Sequence, residues 1–119
     1  MRVNLISASS FKAGKIELSN INKNDLSNYD NIKLLARRNH CDILIEKKSD
    51  IKHVPDYDVY HILARRHGIT KQYVYERDAT TISKNATREE VAEKLFEAIN
   101  RTSELLKKKS LEFAKKFIK

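Results

Sequence analysis

The stretch "YDVYHILARRHGITKQYVY" (residues 57–75) admits two incompatible interpretations, and the fold of the chain depends on the choice between them. Its first half predicts a helix, with an acidic first turn after Pro55 and an end at Gly68. The second half is then either the recognition helix of a helix-turn-helix motif or a β-strand. We expect a strand at residues 72–76, "QYVYE", because they are rich in aromatic and β-branched residues.

A near copy of this stretch lies upstream. "YDNIKLLARR" (29–38) and "YDVYHILARR" (57–66) share six of ten residues, and each is followed by a break and a strand-like run, "DILIE" (42–46) or "QYVYE". The order helix, strand, helix, strand is that of two consecutive α/β units, which favours the strand at 72–76. The helix-turn-helix stays the alternative, since its spacing is matched by Leu63, Ala64, Gly68, Ile69 and Val74.

The apolar patterns in the rest of the chain predict that residues 1–119 form a single α/β domain. The segment 29–38 predicts a helix with Ile32, Leu35 and Ala36 on its apolar face. A loop containing Thr80, Thr81 and Ser83 then leads to a capping box at Thr87 and Glu90, where a long basic helix begins and runs over about 88–119. Short apolar runs predict further strands at 2–7, 15–19 and 42–46. We therefore expect a small, mostly parallel sheet with flanking helices and a long C-terminal helix.

Composition limits the classes of function. The single cysteine, Cys41, excludes an internal disulfide and a cysteine-rich zinc site, and it fits a reducing compartment. The four histidines form no recognised ligand pattern, so no metal or cofactor is expected. No apolar run resembles a signal sequence or a membrane span. We expect a soluble, cytoplasmic protein that does not contact a membrane.

Charge is the main clue to partners. The net charge is +8, and residues 101–119 hold seven basic and two acidic side chains, hence five of the eight net charges. Such a stripe attracts phosphate backbones or an acidic protein partner. Two arginine pairs on parallel helices would add a phosphate-binding patch formed by Arg37, Arg38, Arg65 and Arg66.

Residues 41–101, from "CDILIEKK" through "YDVYHILARRHGITKQYVYE" to "AINR", resemble the MID domain of Argonaute and Piwi proteins. The resemblance implies a Rossmann-like fold that holds the 5′-phosphate of a guide strand and stacks its first base on a tyrosine. Tyr57 would be that stacking ring. Carried over by position, the other nucleic-acid-binding side chains would be His61, Gln72, and Arg101 or Lys94.

Together these features predict a protein that binds RNA or DNA through phosphates, including a strand 5′-phosphate. One alternative is a helix-turn-helix transcriptional regulator. Another is a small interaction or inhibitor protein whose C-terminal helix docks on an acidic partner. Enzymatic activity is not expected, although Glu46 and Lys48 have the spacing of a metal-dependent nuclease strand.

Overall fold

The structure is a computed structural model that describes residues 14–67 and 72–116. Its described part contains four strands, two α-helices and a short 3-10 helix at Lys23–Asp25. In chain order the strands and α-helices are β1 (Ile16–Ser19), α1 (Tyr29–Arg38), β2 (Asp42–Lys48), β3 (Tyr57–His67), β4 (Tyr73–Ser83) and α2 (Arg88–Lys115).

The strands form one sheet in the order β1-β2-β3-β4. β1 and β2 are parallel and are connected through α1, whereas β2, β3 and β4 run antiparallel to their neighbours. Both helices pack on one face of the sheet. The core between them is filled from the helices by Ile32, Leu35, Leu95 and Ile99 and from the sheet by Ile43, Ile45, Tyr60, Ile62, Val74 and Ile82.

The expected mostly parallel, Rossmann-like sheet is wrong, because only one of the three strand pairs is parallel. The error lies at residues 57–66, which form most of β3 rather than a helix. Tyr60, Ile62 and Ala64 are buried against the helices, while His61 and His67 are exposed on the other side. This two-residue alternation is the signature of a strand with one covered face.

The two similar segments therefore form different structures. In α1 the buried residues are Ile32, Leu35 and Ala36, which are spaced by three and one as on a helix. β3 instead places β-branched or aromatic residues at Val59, Tyr60 and Ile62, and such residues pack well on a pleated surface. The duplication does not mark two α/β units.

Several other predictions are confirmed. Strands are present within the predicted ranges 15–19, 42–46 and 72–76, and α1 covers 29–38. β4, however, continues through Thr80, Thr81 and Ser83, so the loop predicted there is wrong. The segments that a helix-turn-helix would use are both strands, β3 and β4. The strand predicted at 2–7 lies outside the described residues.

The long helix α2 begins at the predicted capping box. The Thr87 hydroxyl accepts a hydrogen bond from the Glu90 N–H at 3.1 Å, and the Glu90 carboxylate accepts one from the Thr87 N–H at 2.9 Å. The helix is continuous past Ser103, whose buried hydroxyl accepts a hydrogen bond from the Asn39 amide at 2.8 Å. This buried polar contact ties α2 to the residue that follows α1.

β4 ends the described sheet, and its own side chains bind part of its backbone. The N–H of Ala79 donates to the carboxylate of Asp78 at 2.8 Å, and the N–H of Arg77 donates to the carboxylate of Glu76 at 3.4 Å. The Lys109 ammonium of α2 donates to the carbonyl of Tyr75 at 3.0 Å. These three backbone groups are thus bonded without a further strand.

Alanine substitutions at two adjacent residues test the strand structure of β3. We expect Ile62→Ala to lower the free energy of unfolding by about 3 kcal/mol, because it empties a fully buried site. Leu63→Ala should cost about 1 kcal/mol, because its side chain lies half-buried on the opposite face. Urea unfolding measures both values. Equal losses would indicate a helix, which would place both side chains on its buried face.

Candidate nucleic-acid interface

The face of the sheet opposite the helices carries no other described element. We call it the open face. Because side chains alternate along strands, every second residue of β2, β3 and β4 points to this face. These positions include Asp42, Leu44, Glu46, Lys48, Tyr57, Val59, His61, Leu63, Arg65, His67, Tyr73, Tyr75, Arg77, Ala79 and Thr81.

Aromatic and cationic side chains gather at one end of the open face, where β3 ends and β4 begins. We call this group the tyrosine–cation cluster, and its members are Arg65, His67, Tyr73, Tyr75, Arg77 and Lys109. His67 and Tyr73 are directly paired across the strands, and their rings stack with centroids 4.6 Å apart. The guanidinium carbon of Arg65 lies 5.1 Å from the centre of the Tyr73 ring.

Tyr75, the second tyrosine of the cluster, is contacted by one cation from the sheet and one from helix α2. The guanidinium carbon of Arg77 lies 5.4 Å from the Tyr75 ring centre, and the Lys109 ammonium lies 5.1 Å from it. Lys109 also approaches the Glu76 carboxylate at 3.8 Å. Because Lys109 belongs to α2, the C-terminal part of the basic helix borders the cluster. Lys116, the residue that follows α2, lines an open cavity of about 330 Å³ beside Tyr73 and Tyr75.

Both tyrosine rings remain accessible to solvent. Tyr73 is 54% exposed and Tyr75 is 47% exposed, although each ring contacts cations. A cation over an exposed ring contributes about 0.5–1 kcal/mol, so these contacts favour the observed ring positions without burying the rings. The cluster therefore presents exposed aromatic surface next to positive charge, which are the two requirements for binding bases and phosphates.

A shallow depression of about 340 Å³ adjoins the cluster at the middle of the open face. Leu44 and Leu63, which pair across β2 and β3, form its apolar floor. Glu46, His61 and Arg77 stand at its rim. The depression can accept an uncharged group, while its rim offers hydrogen-bond donors and acceptors.

The residues that the MID resemblance selects are not brought together. Tyr57 and His61 both lie on β3, so their Cα atoms are about 13 Å apart rather than one helical turn. Gln72 immediately precedes β4 and is exposed near His67, whereas Tyr57 pairs with Ser83 at the far end. One 5′-terminal nucleotide therefore cannot contact all three predicted residues.

The predicted arginine patch on two parallel helices is also wrong. Arg37 and Arg38 end α1, but Arg65 and Arg66 lie on β3. Within that pair only Arg65 points to the open face, because Arg66 is opposite the buried Val74 and lies on the helix side.

The two α2 residues predicted to bind nucleic acid lie in the helix layer. Lys94 is exposed there. The Arg101 guanidinium donates a hydrogen bond to the Asp78 carboxylate at 2.8 Å and forms an ion pair with it at 2.7 Å. Arg101 is thus partly neutralised by a strand residue.

The nucleic-acid-binding residues predicted from the sequence include only Arg65 of this cluster and omit the other five members, which are His67, Tyr73, Tyr75, Arg77 and Lys109. One signal was present, because the alternation in "QYVYE" places Tyr73 and Tyr75 on the same face of a strand. Their cationic neighbours depend on the register between β3 and β4, which the helix predicted at 57–66 concealed.

No protein-family model matches the chain, and searches among curated proteins and solved structures give no significant match. The resemblance to the MID domain stays a prediction, and the parallel Rossmann-like sheet that it implies is wrong for the described residues.

Other kinds of site are limited by geometry. Within residues 14–67 and 72–116, no three His, Cys, Asp or Glu side chains are grouped so as to hold a metal ion. None of the helices in these ranges is long and apolar enough to cross a bilayer. Burial raises the pKa of the Cys41 thiol to about 11, and the Asp42 carboxylate adds to the rise. At neutral pH this thiol is therefore protonated and a poor nucleophile.

The raised pKa of Cys41 predicts a stability change in alkali. An unfolded thiol ionises near pH 9.0, whereas the folded one ionises near pH 11. The stabilisation is complete below pH 9 and is lost as the pH rises to 11, with a slope of up to about 1.4 kcal/mol per pH unit. Urea unfolding of the wild type and Cys41→Ala should show a shallower slope for the variant. Parallel slopes would contradict the shift.

Proposed function

We propose that the protein binds nucleic acid on its open face, with cations of the tyrosine–cation cluster contacting phosphates. The observation that carries the proposal is the pair of exposed tyrosines surrounded by Arg65, Arg77 and Lys109. Exposed aromatic rings next to guanidinium and ammonium groups are suited to a ligand that combines planar bases with anionic phosphates.

In the part of the chain that the structure describes, two arginines of the open face lack an ion pair, although Asp42 lies directly opposite Arg65 across β2 and β3. Among the described residues, neither Arg65 nor Arg77 forms an ion pair with a carboxylate, in contrast to Arg101 and Lys109. Their positive charge is thus available to an external anion. Counterion release from phosphates makes such contacts favourable at low salt and weak at high salt.

The basic C-terminal part of α2 extends the same surface. Lys109 contacts Tyr75, and Lys116 lines the adjoining cavity, so part of the lysine-rich segment and the cluster share one end of the molecule. A nucleic-acid strand crossing the open face there would continue over this segment, where Lys107, Lys108 and Lys115 are also exposed.

A protein partner for α2 is the second candidate. Leu105 and Leu111 are 47% and 61% exposed among the lysines of this helix. Apolar side chains surrounded by cations suit an acidic protein surface that also offers an apolar patch. This function would leave the open face unused, so oligonucleotide binding separates the two candidates.

Charge-neutralising substitutions on the open face test the proposal. We expect Arg65→Gln and Arg77→Gln each to weaken binding of a fluorescein-labelled 12-nucleotide strand about fivefold, because each removes a charged hydrogen-bond donor to phosphate. Fluorescence anisotropy at several salt concentrations gives the affinity and its salt dependence. Each substitution should lower the slope of log affinity against log salt by about one.

Two variants with the same charge change serve as controls. Lys94→Gln alters the exposed helix layer, and Arg66→Gln alters the neighbour of Arg65 on the other side of β3. Both should bind within about twofold of the wild type, because most of their field is screened beyond about 8 Å. Binding that weakens equally in all four variants would show attraction by net charge alone, without an interface on the open face.

A further inference from the structure

We infer that the ligand of the open face is a single-stranded nucleic acid whose bases stack on Tyr73 and Tyr75. This inference rests on the proposed function and narrows it to a class of substrate. The side chains that carry it are the two exposed rings, since cations alone would serve a duplex equally well.

The spacing of the two rings favours separated bases. Tyr73 and Tyr75 are two residues apart on one strand, so their Cα atoms are about 6.8 Å apart. Successive bases in a duplex are about 3.4 Å apart along each strand. If neighbouring bases each stack on one of these rings at the spacing of the Cα atoms, they are further apart than in a duplex, and a single strand permits this at low cost.

The shape of the sheet also disfavours a duplex. The four described strands span about 14 Å between the outer two, whereas the major groove is about 12 Å wide and admits a two-stranded ribbon. The helix layer behind β3 and β4 adds further bulk. Double-stranded DNA can meet this face through phosphates, but its base faces stay stacked out of reach of the tyrosines.

Tyr73 keeps exposed surface that a base can contact. Tyr73 already stacks on His67, and more than half of its surface remains exposed. A base that adds to Tyr73 would extend this aromatic pair. Arg65, above the same ring, lies where it can bind the phosphate of that nucleotide.

The experiment compares one 12-nucleotide sequence as single-stranded DNA, as single-stranded RNA and as the DNA duplex, with each labelled strand titrated by anisotropy. We expect at least one of the two single strands to bind about tenfold more tightly than the duplex. Tyr73→Leu and Tyr75→Leu should each weaken single-strand binding about tenfold and leave duplex binding within twofold. Tyr73→Phe and Tyr75→Phe should retain the wild-type affinity, because stacking needs the ring and not the hydroxyl.

A second readout reports stacking directly. The chain has five tyrosines and no tryptophan, so its intrinsic fluorescence comes from tyrosine. Bound single strands should quench this emission in the wild type, and the Tyr73→Leu, Tyr75→Leu double variant should lose most of the quenching. Because both side chains are exposed, thermal unfolding of the variants should match that of the wild type.

The outcomes distinguish the inference from the function on which it rests. A duplex that binds as tightly as both single strands, with Arg65→Gln still weakening it, overturns the single-strand inference and keeps the open face as a phosphate-binding surface. Leucine variants that bind single strands as well as the wild type also overturn the inference. Failure of all three oligonucleotides to bind removes the proposed function itself.

Discussion

β3 is paired with β4 over its whole length and with β2 over Val59–Arg65. Each of its residues therefore points to one fixed face of the sheet, and the rest of the structure depends on this assignment. Tyr60, Ile62 and Ala64 must face the helices, because their apolar surface has nowhere else to be buried. The residues between them, His61, Leu63 and Arg65, are then forced to the open face. A shift by one residue would exchange the two sets and place an arginine in the core.

The candidate site follows from this constraint and from the length of α2. At about 1.5 Å per residue, a helix of 28 residues extends about 42 Å, so its C-terminal part reaches the start of β4. Lys109 can therefore contact Tyr75, while the first half of the helix contributes Leu95 and Ile99 to the core. One helix thus stabilises the sheet and supplies charge at its end.

The elements that could be predicted from sequence are those with unambiguous local signals. α1 has a helical period, α2 begins at a capping box, and β4 is rich in β-formers. β3 could not be predicted, because its apolar residues at 59, 60, 62, 63 and 64 fit a helix face as well as a strand. Its structure is decided by hydrogen bonds to β2 and β4, which are contacts between residues distant in sequence.

Prediction of the candidate site from the sequence would also have required the pairing between β3 and β4. A strand at 72–76 was predicted, so the shared face of Tyr73 and Tyr75 was within reach of the sequence. That Arg65 and His67 lie beside them follows only from the register of β3 against β4. Arg65 was nevertheless selected for its charge, whereas Tyr57 and His61 were selected for a helix start that does not exist. Gln72 was selected by its position in the MID resemblance.

The backbone of β4 donates hydrogen bonds to the side chains of Asp78 and Glu76 and accepts one from the side chain of Lys109. These bonds affect the tendency of the protein to self-associate at high concentration. A long strand at the margin of a sheet normally invites another chain to add to it, which is the first step of aggregation. Here a strand from another chain would have to displace two carboxylates and an ammonium group before it could bond to the backbone groups of Arg77, Ala79 and Tyr75. An exposed aromatic surface can thus be kept beside this strand with a lower risk of self-association.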